Sequence, residues 1–502
     1  MTHAPTHVVV VGGGISGLAA AHRLATQSAP GAVQVTLLEA SERVGGWVRT
    51  ETFAGRPVDF GPDSLLVRMP WAADLAAELG LTDELVAPGE GGAFLLSRGE
   101  LRRLPQGILA GLPGGPMPFI RSGLLGPVGL LRAALDLVLP ANAPAADESI
   151  GQLVRRRLGK QTLERVIDPL LGGVHAGRCD DLSLQATAPQ IAAAARADRS
   201  LLRGLRKTAP PAPPAGAAPR PVFMAPRGGM QVLSTRLAAA LVELGVVVRT
   251  GARVERIEPL DRGPHPDDAP LRLHLAGGES LEADGVILTT PAPVTSDLLA
   301  SQAPGAAATL RGLRYASVAH TALAYDPAAL PAALPAGTGF LVPRPEGRLM
   351  TACTFLDRKW PERRAVGAAE QQREGIVDPL SGAVVIKCSA GRIDDATFQG
   401  LSDEQLTAAL HGELAELLGI TAAPLASRVV RVDRGLPQYA PGHPARIESA
   451  MLEVRDALPG LALAGAAYRG ASVPLCVRDG RTAADEQLGR LGLRPRAEVV
   501  SP

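Results

Sequence analysis

The first strong pattern in the chain is an apolar run with no alternation. Val8 to Val11 is uninterrupted valine, the pattern of a strand covered on both faces, so His7 to Val11 reads as a buried strand. Glycines follow, and then apolar residues recur at helical spacing from Ile15 to Thr26. Ala29-Pro30-Gly31 turns the chain into a second strand, Gln34 to Glu39, which ends in an acid. Strand, helix and strand in that order make a βαβ unit. Further on, Ile150 to Leu163 and Gln190 to Leu205 lack alternation and carry long side chains, so residues 100–205 read as mainly helical. Residues 208–219 are almost entirely proline and alanine, a semi-rigid linker. Gly245 to Ile257 and Leu281 to Thr290 read as strands around a Pro- and Asp-rich loop, Asp261 to Pro270. Short strands (His320 to Tyr325, Leu349 to Phe355, Ala383 to Ser389) then alternate with charged turns and one helix, Ser402 to Leu418. Leu461 to Ala467 reads as a strand and Ser472 to Leu491 as a last helix.

Composition narrows the function classes. With 502 residues, 46% hydrophobic and 20% charged, the chain has material for several cores and is neither disordered nor fibrous. Lys+Arg 51 against Asp+Glu 50 leaves a net charge of +1, and only 3% of residues are aromatic. Nucleic-acid binding needs a basic surplus or stacking platforms, and neither is present. The cysteines Cys179, Cys353, Cys388 and Cys476 stand singly, so no metal cluster and no disulfide framework is expected. A reducing, cytoplasmic setting with no cleavable leader is the expectation. The most lipid-like stretch, Pro116 to Pro140, is interrupted by Arg121, Arg132 and Asp136 and broken at Gly126-Pro127. It reads as a pair of short helices, with a bilayer-surface contact or an apolar rim as the sharper alternative, and it does not span a membrane.

The chemistry starts in the first glycines. Gly12-Gly13-Gly14-Ile15-Ser16-Gly17 fits GxGxxG between a strand and a helix, and Glu39 closes the next strand. That frame is a dinucleotide site: Gly12 for the turn, Gly14 for close approach of a pyrophosphate, Gly17 for tight packing. The free N–H groups of the helix N-terminus favour the anion. Glu39 suits a ribose hydroxyl and would repel a 2′-phosphate. Behind it, Ala40, Arg43 and the pair Gly45-Gly46 continue the loop.

That continuation resembles the amine-oxidase-like flavoprotein superfamily, and further segments resemble its protoporphyrinogen/coproporphyrinogen III oxidase family. These are Gly61-Pro62-Asp63-Ser64, Asp168-Pro-Leu-Leu-Gly-Gly-Val-His-Ala-Gly177 with Leu182-Ser-Leu184, and Arg227-Gly-Gly-Met-Gln231. Leu436-Pro-Gln-Tyr439 with Gly442-His443, and Leu458 to Gly465 running into Gly470-Ala-Ser-Val-Pro474, complete the series in family order. The resemblance implies FAD bound by Gly12 to Gly17, Glu39, Ala40, Arg43, Gly45, Gly46, Gly61 to Ser64 and Gly465. It implies that Val254 holds the adenine edge through its backbone. Val473 and Pro474 open the last helix beneath the flavin ring, where a helix N-terminus stabilises the reduced anion. It also implies an apolar porphyrinogen slot with Val174 and the Phe119 to Leu139 region as wall, and Arg68 and Arg178 as candidate cations. The chain departs from the family at Ala466 (usually Asn), Leu475 (usually acidic), His175 and Arg178 (more often Tyr and Asp) and Met69 (often Lys in bacterial relatives).

The fold implied is α/β with α+β parts: a Rossmann-like FAD-binding domain discontinuous over 1–98, 220–298 and 455–495, a helical insertion at 99–207, the linker at 208–219 and a mixed-sheet substrate domain at 299–454. The activity implied is oxygen-consuming oxidation of a porphyrinogen in haem biosynthesis. Coproporphyrinogen III is favoured over protoporphyrinogen IX, in three flavin cycles with release of hydrogen peroxide. Cys476 reads as a buried small hydrophobe, so FAD is expected without a covalent link. No general base stands out. Alternatives are an oxidase or desaturase of the same superfamily acting on amines or carotenoid precursors, and a flavin-free lipid carrier on the same fold.

Overall fold

The computed structural model describes residues 5–29, 31–105, 108–109, 112–113, 116–140, 147–209, 221–260, 270–331, 334–374 and 378–493. Pro30, most of the linker, the loop at 261–269 and the side chain of Phe119 lie outside the described residues.

The valine run forms β1 (Thr6–Val11), and the reason for its composition is visible in its neighbours. With β2 (Val33–Leu38), β3 (Val247–Arg249), β4 (Gly285–Leu288) and β5 (Leu461–Leu463) it builds a five-stranded sheet, parallel throughout, in the order β3-β2-β1-β4-β5. Val8 and Val10 pack into one core with the helices Ile15–Gln27, Gln231–Glu243 and Val473–Arg490. Val9 and Val11 pack into another, with the helices Pro304–Arg311 and His443–Ala457 on the opposite face. A strand buried on both sides has no polar face to alternate with. The order is that of a doubly wound dinucleotide-binding sheet, whose ligand crevice lies beyond the carboxyl ends of the strands.

A second sheet of seven strands is mixed. Its long strands, Tyr315–Tyr325, Val384–Ala390 and Ala426–Pro437, are antiparallel, while Gly339–Leu341 runs parallel to Ala93–Ser97. The hairpin Ala93–Ser97 with Glu100–Arg103 therefore belongs to this sheet. Residues 98 and 99, between which the domain boundary was expected, form the turn of that hairpin. Local sequence could not reveal this, because the partner strand lies more than two hundred residues away.

The described residues between Pro116 and Lys207 are mainly helical, with their own core around Leu153, Ile167, Leu182 and Ile191. Within it, Pro116–Ser122 and Pro127–Ala134 are two short helices, separated at Gly126, as the breaker residues require. Leu163–Gly172 is π-helical with Pro169 inside, a geometry that recurs at functional sites. Among the described residues, no helix is long and apolar enough to cross a membrane.

Candidate active site

One cavity of about 3270 Å³ runs from the crevice of the parallel sheet to the face of the mixed sheet. Pockets for a single small ligand measure roughly 300–1,000 Å³, so this one has room for a dinucleotide and a second large molecule.

The glycine loop builds one end. Gly12 has a φ of 107°, a conformation in which an L side chain is strained, and its carbonyl accepts a 2.8 Å hydrogen bond from Thr289 Oγ1 at the end of β4. A Cβ on Gly17 would strike that same carbonyl, whereas a Cβ on Gly14 would meet nothing within 4 Å. The loop is packed tightly at Gly17 and open at Gly14, where the cavity lies. Helix Ile15–Gln27 starts there with no capping side chain, which leaves its first N–H groups to a ligand. Helix Val473–Arg490 opens on the same cavity, also uncapped by a side chain, with Val473 and Pro474 on the wall. Two positive helix ends facing one cavity form a site for an electron-rich, anionic group.

Glu39 stands at the end of β2 with its carboxylate already in use. Oε2 accepts from the Gly13 N–H at 2.6 Å, and Oε1 accepts from the Ser41 N–H at 2.8 Å and its hydroxyl at 2.7 Å. A carboxylate accepts about four hydrogen bonds, so one position remains for a ligand hydroxyl. Arg43 donates to the Gly46 carbonyl at 2.7 Å, and the Gly45 N–H donates to the Gly13 carbonyl at 2.7 Å, so the second glycine pair lies directly against the first. Burial lowers the Arg43 guanidinium pKa, but its ordinary value is far above neutrality and it stays charged. Val254 lies where the ladder slips in register, and with Ala40 it lines the cavity.

Gly61, Pro62, Asp63 and Ser64 line the cavity midway. Burial pushes the Asp63 carboxyl up, but Lys359 Nζ at 2.7 Å and Lys387 Nζ at 3.8 Å outweigh it and hold the acid well below the usual carboxylate range. Neither lysine was among the expected site residues. No local motif marks them; Lys359 ends the short helix Leu356–Lys359 and Lys387 lies on strand Val384–Ala390, and both reach Asp63 only because segments distant in sequence converge.

At the far end, Val174 is 71% exposed on the wall. Asp168 fixes its segment: Oδ1 accepts from the Cys179 N–H at 2.8 Å, and Oδ2 pairs with Arg344 Nε at 2.9 Å. Arg344, another residue missed from sequence, also donates to the Gly177 carbonyl at 2.6 Å and lines the cavity. His175 has Tyr439 edge-on at 5.7 Å, and burial pulls its ring down to about 4. The Tyr439 hydroxyl donates to the Ala466 carbonyl.

Arg68 is exposed on the cavity wall with no ion-pair partner among the described residues. Arg178, the other candidate cation, is already paired. It does not line the cavity; its guanidinium lies 3.3 Å from Asp394 and 3.7 Å from Asp180, which satisfy its charge elsewhere. Gly13, Gly17 and Gly465 also lie behind the wall. Gly13 and Gly17 hold the loop's shape, and the Gly465 N–H donates to Asp479 at 2.8 Å. Cys476 is buried, its thiol pushed up to about 12 by desolvation, with Sγ 3.6 Å from the Gly470 carbonyl.

Residues 15–488 match the family described as flavin containing amine oxidoreductase. The coproporphyrinogen III oxidase of Bacillus subtilis is 32% identical, the alignment covering 97% of this chain and 99% of that protein. The protoporphyrinogen oxidase of Bos taurus is also 32% identical, over 96% of this chain and 98% of that one. A crystal structure from Exiguobacterium sp. 255-15 superposes with a TM-score of 0.81 at 32% identity, covering 97% and 99% of the two chains. The uncapped glycine cradle, the second helix end and the size of the cavity fit a bound FAD. The chain belongs to the flavin-containing amine oxidoreductases, and within them to the coproporphyrinogen/protoporphyrinogen oxidase family.

Proposed function

We propose that the protein oxidises coproporphyrinogen III to coproporphyrin III, with dioxygen as acceptor and hydrogen peroxide as by-product. The observation that carries the reading is the end-to-end likeness to coproporphyrinogen III oxidases on a cavity large enough for dinucleotide and macrocycle together. When bound, FAD supplies the hydride acceptor for each of the three two-electron steps. The chain supplies placement. Gly14, Ile15 and Ser16 take the pyrophosphate, Glu39 a ribose hydroxyl, Val254 the adenine edge, and Gly61 to Ser64 with Val473 and Pro474 the ring. Gly13, Gly17 and Gly465 act by shaping this bed, and Arg43 by bracing Gly45-Gly46. No covalent link is needed, since the Cys476 thiol is buried and bonded within its own turn.

The macrocycle is apolar with acidic edges. Val174 offers an apolar contact, and Arg68 a planar cation with its donors free, suited to a propionate. Protoporphyrinogen IX is the second reading, favoured by the equal identity to the bovine enzyme. A bilayer-surface contact is assigned to the short helices at 116–138, which expose Met117, Ile120, Val128, Leu131 and Val138.

The test compares peroxide release from a chemically reduced coproporphyrin with release from a polyamine. Porphyrinogen-dependent peroxide with no polyamine response is expected. The reverse pattern would move the protein to the amine oxidases.

A further inference from the structure

His320 lines the cavity within electrostatic reach of Asp63 and Lys387. It alternates with Val318 on the cavity face of strand Tyr315–Tyr325, and its partner across the ladder is Ser389, which also lines the cavity. Nδ1 lies 2.9 Å from Ser389 Oγ, and Nε2 has no hydrogen-bond partner among the described residues. The charged groups near the ring are Lys387, from the adjacent strand, and Asp63, from the segment Gly61–Ser64. Burial first, and then Lys387, pull the ring down to about 3 against the opposing pull of Asp63. The imidazole is therefore neutral at physiological pH, with one nitrogen held by serine and the other free. His175 also lines the cavity, but it lies in the Val174 segment, apart from Gly61–Ser64.

We propose that Nε2 of His320 accepts the proton that the macrocycle releases in each two-electron step, an assignment that rests on the porphyrinogen-oxidase reading. In each step a meso carbon loses hydrogen together with the C–H electron pair, and the macrocycle is left with one positive charge. In two of the three steps a pyrrole N–H then gives its proton to Nε2, and in the remaining one a further meso C–H does, so that four meso and two N–H hydrogens leave in all; each time the electron pair stays to form the new ring double bond. A bound FAD would be the acceptor of the hydride. Dioxygen finally takes the electron pair with two hydrogens as hydrogen peroxide, one of them returned by the imidazolium. Atoms and electrons balance as reduced macrocycle plus dioxygen giving oxidised macrocycle plus peroxide.

The surroundings suit this task. Hydride loss makes the N–H acidic, so a weak base suffices, and a neutral ring does not repel the charge that develops on the macrocycle. Solvent can also take the proton from an open site, but a buried wall without a base would delay its departure.

The experiment uses FAD-loaded wild type, His320→Ala and His320→Asn. Binding of coproporphyrin is followed by fluorescence quenching, and anaerobic flavin bleaching by coproporphyrinogen is followed by stopped flow. Porphyrin and FAD affinities should stay within about twofold, while bleaching slows by about 10²- to 10⁴-fold, the usual contribution of a positioned base. Added imidazole should restore part of the rate in His320→Ala and leave the wild type unchanged. Wild-type bleaching in both variants overturns the proposal. So does a loss of porphyrin affinity that matches the loss of rate, or a rate that imidazole does not move, because each makes the ring a packing residue. If wild type itself fails to bleach, the functional reading falls first, and this proposal falls with it.

Discussion

Replacing Glu39 by glutamine removes one charge and one acceptor at the cofactor end, and the structure says which contacts remain. The amide can direct its oxygen at only one of the two donor groups. Directed at the Gly13 N–H, now 2.6 Å from Oε2, it keeps the loop contact that shapes the cradle. The NH₂ then faces Ser41, whose hydroxyl can turn to accept it, while the exposed Ser41 N–H turns to water. The apoprotein should therefore lose little stability, at most about 1 kcal/mol for one exchanged hydrogen bond. The proposed ribose contact is different, since a charge-assisted hydrogen bond would become a neutral one. About 1.5–3 kcal/mol is at stake, roughly ten- to a hundred-fold in FAD affinity. Apoprotein titrated with FAD by flavin fluorescence gives the dissociation constant, and relative rates on the two porphyrinogens give the substrate preference, which should not change. Glu39→Ala should be worse on both counts, because the Gly13 N–H then loses its acceptor. An unchanged FAD dissociation constant in Glu39→Gln would refute the ribose assignment.

Gly14→Ala and Gly17→Ala separate ligand space from fold. Gly14→Ala should leave apoprotein melting unchanged and weaken FAD at least about tenfold (about 1.4 kcal/mol), because its Cβ fills only open cavity. Gly17→Ala should lower melting even without flavin, by about 1–3 kcal/mol of overpacking, as its Cβ collides with the Gly12 carbonyl. Arg68→Ala should raise the KM for coproporphyrinogen about three- to tenfold more than for its tetramethyl ester, with kcat little changed, as expected for remote anchoring. Equal losses on acid and ester would return Arg68 to a plain surface charge. Asp63 is held below the ordinary carboxylate value in the folded state, so its contribution to stability is complete above an unfolded pKa of about 3.9 and is lost as pH falls below it. Melting temperature should drop on acidification below about pH 4, and less steeply in Asp63→Asn than in wild type.

The first βαβ unit was legible because everything it needs is local. Four valines covered on both faces, three glycines with separate duties and an acid at the next strand end follow one another within about forty residues, a contiguous frame of the kind the dinucleotide fingerprint requires. The two short helices at 116–134 were legible for the same reason, with Gly126-Pro127 marking their break. The mixed sheet was read only in fragments. Ala93–Arg103 is an ordinary hairpin in sequence, and only its parallel pairing with Gly339–Leu341 assigns it to the substrate side. Arg178 looked like a free cation until Asp394, two hundred residues on, was found beside it. Lys359, Lys387, Arg344 and His320 carry no motif. The fold brings the two lysines to Asp63, and Arg344 and His320 to the cavity wall, since spatial rather than sequential adjacency defines that part of the site.

The central claim, a flavin-dependent porphyrinogen oxidase with a preference for the tetracarboxylate, is tested most directly by oxygen uptake. The FAD-loaded protein is supplied in parallel with coproporphyrinogen III and protoporphyrinogen IX, and the slow spontaneous oxidation of each is subtracted. The expected result is enzyme-dependent uptake of three dioxygen molecules per porphyrin formed, peroxide in equal amount, and a higher kcat/KM for coproporphyrinogen. Uptake no faster than the spontaneous rate with both substrates, from protein that carries its full complement of FAD, would contradict it.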